Sequence, residues 1–207
     1  RIAVGDPKVD YRNFELLYAR KTRHPHLRTL ISVGGWEWSG RFSKVAATAE
    51  ARSRFADSVA EFLVRYGFDG VDLDWEYPVA GGMAGNAASP ADKQNFTLLL
   101  QCLRERLDAQ GEIDGKEYLI TIAGGAGAFY AKNVELGKIA RYLDFAIIMT
   151  YDMHGPSDRY TDLNAPISVC RMLSTIGPMA AKIPAAMAQP SSRPRPVPTT
   201  PWSRASA

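Results

Sequence analysis

Apolar positions along the chain switch repeatedly between a strand-like and a helix-like pattern. Residues 27–33, Leu-Arg-Thr-Leu-Ile-Ser-Val, read as a strand running into Gly34-Gly35-Trp36. In the long helical region that follows, Phe55, Val59, Phe62, Leu63 and Tyr66 share one helix face, and Gly67 is the expected stop. Phe68 to Tyr77 is the next expected strand. Ser89-Pro90-Ala91-Asp92 has the makings of a helix start: a capping hydroxyl, a proline at the first helical position and a carboxylate three residues after the cap. The helix behind it presents Phe96, Leu99, Leu100, Leu103 and Leu107 on one face. Tyr118 to Ala123 reads as a strand ending in Gly124-Gly125, Val134 to Leu143 as a short helix, and Asp144 to Tyr151 as a strand.

This β-α-β-α-β-α-β order, with strands apolar enough to be covered on both faces, predicts a parallel sheet. The sheet is either doubly wound or part of a (β/α) barrel. From Gly177 the pattern dissolves. Seven of the thirteen prolines fall in the last thirty residues among Ala, Ser, Thr and Arg, a mixture that cannot form a buried face. The expected organisation is a folded unit over 1–176 and a disordered low-complexity tail over 177–207.

Composition narrows the function classes. The chain has 207 residues, 46% apolar and 23% charged, an ordinary globular balance. No apolar run reaches the roughly 18 residues of a membrane span. The formal charge of +3 resides in the tail, where Lys182, Arg193, Arg195 and Arg204 face no acid. Residues 1–177 hold 21 basic and 22 acidic groups, so nothing points to a nucleic-acid groove. Two cysteines, Cys102 and Cys170, are too few for a disulfide scaffold. The opening Arg1-Ile2-Ala3 has neither an initiator Met nor a signal-like stretch, and the expectation is that processing or truncation removed what preceded it or that the sequence starts mid-gene.

The chemistry concentrates in Asp69-Gly70-Val71-Asp72-Leu73-Asp74-Trp75-Glu76-Tyr77-Pro78. Strand alternation sends Asp72, Asp74 and Glu76 to one face and Val71, Leu73 and Trp75 to the other. Three acids in line on a buried strand cannot all ionise comfortably, so at least one is expected to hold a proton near neutral pH. Glu76, nearest the strand's C-terminal end where α/β active sites lie, is the candidate proton donor. A solvated edge strand is the plain alternative, and a metal site a second one. Scarce histidine and the poor coordination geometry of a single strand oppose the metal, and no cofactor is called for.

Asp69-x-x-Asp72-x-Asp74-x-Glu76 resembles the signature of glycoside hydrolase family 18, the chitinases and their relatives. Ser32-Val33-Gly34-Gly35-Trp36 is similar to the family's Ser-x-Gly-Gly segment on the third barrel strand. The carboxylates match the fourth strand, Thr121-Ile122-Ala123 the fifth and Met149-Thr150-Tyr151-Asp152 the sixth. The resemblance implies a partial (β/α)8 TIM barrel with strands three to six, and a retaining, substrate-assisted hydrolysis of β-1,4 N-acetylglucosaminide links in chitin. It implies that Glu76 protonates the glycosidic oxygen and that the sugar's acetamido oxygen attacks its own anomeric carbon. Asp74 would hold the acetamido N–H while exchanging a hydrogen bond with Asp72, and the Tyr151 hydroxyl would fix the acetamido oxygen. Trp36, Tyr77, Met149 and Asp152 become candidate substrate contacts, and Asp69, Ser32, Gly34 and Gly35 structural parts of the motif.

Implied partners are chitin or N-acetylglucosamine oligosaccharides, the substrates of a secreted, monomeric parent, without nucleic acid or membrane. An endo-N-acetylglucosaminidase acting on glycoprotein glycans and a non-hydrolytic or inactive truncated relative are the alternatives. Four strands against the family's eight make the segment an expected fragment, with the first two strands ahead of residue 1 and the last two missing. Such a fragment is expected to be weakly stable and poorly active. Trp202, in the tail, cannot take the role of the family's pocket-floor tryptophan.

Overall fold

The computed structural model describes residues 1–155, 159 and 163–165. Helix α1 (Asp10–Arg23) precedes strand β1 (Leu30–Gly34). A 3-10 turn (Ser39–Arg41) then leads into α2 (Phe42–Ala46) and α3 (Ala49–Tyr66). Strand β2 (Gly70–Asp74), helix α4 (Asp92–Asp114) and strand β3 (Leu119–Gly125) follow. The short helices α5 (Ala128–Asn133) and α6 (Leu136–Ile139) lead to strand β4 (Phe145–Met149).

The strands pair in parallel and in chain order, β1-β2-β3-β4. A doubly wound sheet reverses its order at a switch point, and this one does not. The four strands are therefore an arc of a (β/α)8 barrel, with helices on the outside. Val71, Leu73, Trp75, Ile120 and Ile122 point outward from the sheet. They are buried against Phe55, Val59, Phe62 and Leu63 of α3 and Leu99, Leu100, Leu103 and Leu107 of α4. Those are the faces that the apolar spacing predicts.

Helix termini also follow local chemistry. The Thr48 hydroxyl accepts the Ala51 N–H at 3.1 Å to open α3, and Gly67, at φ 71°, closes it in the left-handed region. At α4 the Asp92 carboxylate reaches back to the Ser89 N–H at 2.7 Å and the Ser89 hydroxyl accepts from Ala91 at 3.2 Å. The expected capping contacts form, but Pro90 and Ala91 make a turn and the helix starts at Asp92.

Several sequence-based expectations shift. Strand β2 ends at Asp74, so Trp75, Glu76 and Tyr77 lie past the paired segment. The helix expected over 134–143 is replaced by α5 and α6, broken where Val134 takes an extended conformation that buries its side chain in the core. Burial of a β-branched residue outweighs helix propensity there. Strands covered on both faces are not found throughout: Phe145, Ile147 and Ile148 of β4 are exposed. Cys102 is free and partly buried. The expected tail over 177–207, Cys170 and Trp202 lie outside the described residues.

Asp69 closes the lower end of β2. Its buried carboxylate meets Lys21 of α1 at 2.7 Å and accepts the Thr29 N–H at 2.8 Å. Its backbone pairs with Thr29 on one side and Leu119 on the other. Asp69→Ala leaves the Lys21 ammonium in a low-dielectric site without its counter-charge, and unfolding by urea should show a loss of about 3–5 kcal/mol.

Candidate active site

Parallel register brings the inward-facing polar residues of three strands to one level. Ser32 of β1 pairs with Asp72 of β2, and Asp72 with Thr121 of β3. Asp72 accepts the Ser32 hydroxyl at 2.9 Å on Oδ2 and the Thr121 hydroxyl at 2.6 Å on Oδ1. The carboxylate is buried but satisfied on both oxygens. The hydrogen bond expected between Asp72 and Asp74 is absent, because these two flanking hydroxyls hold Asp72 instead.

One level up, Gly34 pairs with Asp74. Gly34 and Gly35 sit at φ 113° and 88°, and a Cβ on Gly34 would collide with the Asp74 carbonyl oxygen. Only glycine allows β1 to come this close to β2 and then turn away. The Gly35 N–H donates to that carbonyl at 2.7 Å. The Asp74 side chain points inward, with Oδ1 buried and lacking any hydrogen-bond partner. Burial, then the neighbouring Glu76 and Asp72 carboxylates, push its pKa up to about 6. Among the clustered acids, burial thus makes Asp74 easier to protonate than an ordinary aspartate.

Glu76 follows Trp75, whose indole is buried between Phe42 and Phe96 with ring centroids 5.3 and 5.4 Å away. Tyr77 sits beside Glu76. Burial first, then its interactions with Glu76, Asp74 and Tyr151, hold the Tyr77 phenol protonated above the ordinary tyrosine range. Asp72, Asp74, Glu76, Tyr77 and Tyr151 therefore share one electrostatic neighbourhood. Tyr151 and Asp152 lie just past β4. Tyr151 is half exposed, and Asp152, at φ 54°, accepts from the Asn164 amide at 2.9 Å. Met149 is buried at the end of β4. Trp36 is 51% exposed, which leaves its ring open to a ligand rather than packed in the core. Asp69 stands at the opposite end of β2 and takes no part in this cluster. Among the described residues no group of three or more His, Cys, Asp or Glu side chains is arranged to hold a metal ion.

Three contributors escape the motif reading. Ser39 is fully buried and bonds the backbone on both sides of Trp75. Asn86, from the loop after β2, donates to the Glu76 carbonyl at 3.3 Å. Tyr130 of α5 lies against Gly124 and Gly125, and a Cβ at Gly124 would come within 3.1 Å of its ring. Those glycines, at the end of β3, admit the ring. Burial, then Asp74, Tyr77 and Asp72, hold the Tyr130 phenol neutral. No regular spacing links Ser39, Asn86 or Tyr130 to the carboxylates.

A family model described as glycosyl hydrolases family 18 matches residues 1–191. The chain belongs to that family. It is 50% identical over 190 residues to chitinase A1 of Niallia circulans, covering 85% of this chain and 27% of that protein. It is 38% identical over 162 residues to chitotriosidase-1 of Mus musculus, covering 75% and 34%. Among solved structures, chitinase ChiA74 from Bacillus thuringiensis superposes with a TM-score of 0.72 at 53% identity, covering 73% of this chain and 24% of that one. A family 18 N-acetylglucosaminidase from Paenibacillus barengoltzii gives 0.68 at 40% identity, covering 82% and 51%. This family 18 chain thus spans about a quarter to a third of the length of the curated relatives it matches.

The raised pKa of Asp74 has a signed consequence for stability. A carboxylate whose folded pKa exceeds its unfolded value stabilises the fold only while protonated, so its contribution is complete below about pH 4 and lost as pH rises through about 6. Asp74→Asn cannot ionise. Thermal melts of the two chains should converge at low pH, and the variant should melt higher above pH 7.

Proposed function

We propose that this chain carries the catalytic centre of a chitinase that hydrolyses β-1,4 N-acetylglucosaminide links with retention of configuration. Glu76 donates its proton to the glycosidic oxygen. The substrate's own 2-acetamido oxygen attacks the anomeric carbon, and water then opens the resulting oxazolinium ion. Asp74 accepts the acetamido N–H and opposes the positive charge on that ion, Asp72 supports Asp74 from below, and the Tyr151 hydroxyl orients the acetamido oxygen. Trp36, Tyr77, Met149 and Asp152 line the sugar's surroundings. The observation that carries the reading is Asp74 Oδ1: a buried carboxylate oxygen without a hydrogen-bond donor, in the middle of an acidic cluster. A secondary amide N–H supplies the missing donor. The names of the chitinases that it resembles support the substrate class.

The second reading, hydrolysis of N-acetylglucosamine links outside chitin, is favoured by the likeness to the Paenibacillus N-acetylglucosaminidase. An endo-acting form of it would attack glycoprotein glycans. Cleavage of chitin oligomers against a high-mannose glycopeptide separates the readings. A non-hydrolytic, sugar-binding relative has no need of the acid at Glu76. A polymer outside the cell as substrate calls for secretion of the intact protein.

Two outcomes test the mechanism. Glu76→Gln should lower the rate on a fluorogenic N-acetylglucosamine oligomer by about 10²–10⁴-fold while circular dichroism stays unchanged. A folded Glu76→Gln chain that keeps the unsubstituted rate sinks the proposal, as does a chain that neither binds nor cleaves such oligomers. The rate also needs Asp74 as an anion. The profile of kcat/KM against pH should therefore lose activity as pH falls through about 6.

A further inference from the structure

The β2 ladder stops at Asp74, opposite Gly34. Beyond that point β1 has turned away through Gly34 and Gly35, and among the described residues no strand pairs with Glu76 on that side. Its N–H donates instead to the Ser39 hydroxyl at 2.9 Å. The same Ser39 oxygen lies 3.0 Å from the Asp74 carbonyl and 2.8 Å from the Gly35 carbonyl, either of which accepts its proton. The Glu76 carbonyl accepts from Asn86 Nδ2 at 3.3 Å, and Gly82 packs against the same oxygen. Asn86 in turn sits beside Gly40, whose carbonyl accepts the Ala87 N–H at 3.2 Å. Side chains from two loops thus replace the strand ladder at the residue that carries the acid. Ser39 is only 1% exposed, so no solvent takes over its bonds if the hydroxyl is lost.

We propose that Ser39 is a positioning residue for Glu76, its buried hydroxyl holding the Glu76 peptide in place beyond the end of the strand, with Asn86 securing the other side. The proposal rests on the reading of Glu76 as proton donor. Trp75 anchors the outer face of the segment and Ser39 the backbone, so the spacing of the Asp74 and Glu76 carboxyls depends on both. A shift of about 1 Å at a reacting group costs on the order of 10²-fold in rate.

The test uses Ser39→Ala, the near-isosteric but weakly accepting Ser39→Cys, and Asn86→Ala, each in the full chain. Amide hydrogen exchange is followed by NMR at Glu76, with Val71 and Leu73 as ladder references, and kcat and KM are measured on a fluorogenic N-acetylglucosamine oligomer. The expected result for both Ser39 variants is exchange at Glu76 at least ~10-fold faster with Leu73 unchanged. The same variants should lose about 10–100-fold in kcat with KM held within about 2-fold. Asn86→Ala should act in the same direction and less strongly. Exchange at Glu76 that does not change overturns the proposal whatever the rate does. Faster exchange with an unchanged kcat overturns the positioning role, and uniformly faster exchange across β2 reduces Ser39 to a structural residue and overturns it as well. Should Ser39→Ala not fold, Ser39→Cys and Asn86→Ala decide. Retention of the full rate by Glu76→Gln would defeat the proton-donor reading alone, because the exchange measurement reports on the Ser39 bond independently.

Discussion

Everything at the site hangs on strand register. Parallel pairing that sets Ser32, Asp72 and Thr121 at one level lets a carboxylate be buried inside the arc with a hydroxyl on each oxygen. A slip of one residue in either neighbouring strand would bring Ile31 or Val33, Ile120 or Ile122 opposite Asp72 and turn their side chains to the wrong face. The acid would then be buried without donors, at a cost of several kcal/mol. The outward pattern enforces the same register, since Val71 and Leu73 must meet the α3 and α4 cores. Polar satisfaction inside and apolar packing outside select one alignment.

From that fixed level the environment changes along β2. Asp69 at the bottom is neutralised by Lys21, Asp72 is satisfied by neutral hydroxyls, and Asp74 is left with one oxygen unpartnered. Three chemically identical groups five residues apart at most are thereby given three environments: an ion pair, a pair of hydroxyl donors, and a half-open site with one oxygen unpartnered. The differences come from the neighbouring strands and helices. Environment separates the roles, as it does wherever one active site uses several carboxyls differently.

The repeating layer of the fold is legible in the sequence. Apolar spacing in α3 and α4, Gly67 as a stop, the Ser89-to-Asp92 cap and the alternation of Asp72, Asp74 and Glu76 against Val71, Leu73 and Trp75 all obey local periodicity. The choice between a doubly wound sheet and a barrel did not follow from alternation, because both have the same element order; strand order in space settles it. Ser39, Asn86 and Tyr130 were illegible for another reason. Each comes from a turn, loop or short helix, where no period relates sequence position to direction, and each reaches the site through tertiary approach to glycines or exposed backbone. That burial raises Asp74 in particular was illegible too, because sequence shows which acids are near one another, whereas desolvation depends on what surrounds each.

The open side of the arc bears on the same electrostatics. Thr121 pairs with Phe145 and Ala123 with Ile147, so these β4 residues face the same side of the sheet as Asp72 and Asp74, with β3 between them. Both are exposed, at 39% and 49%. Apolar side chains lining the inner face gain about 25 cal/mol for each Å² removed from water, so the face favours cover. Cover would also take water from the carboxylate side of the arc. Loss of that water disfavours the charged form of Asp74, the same direction in which burial already moves it.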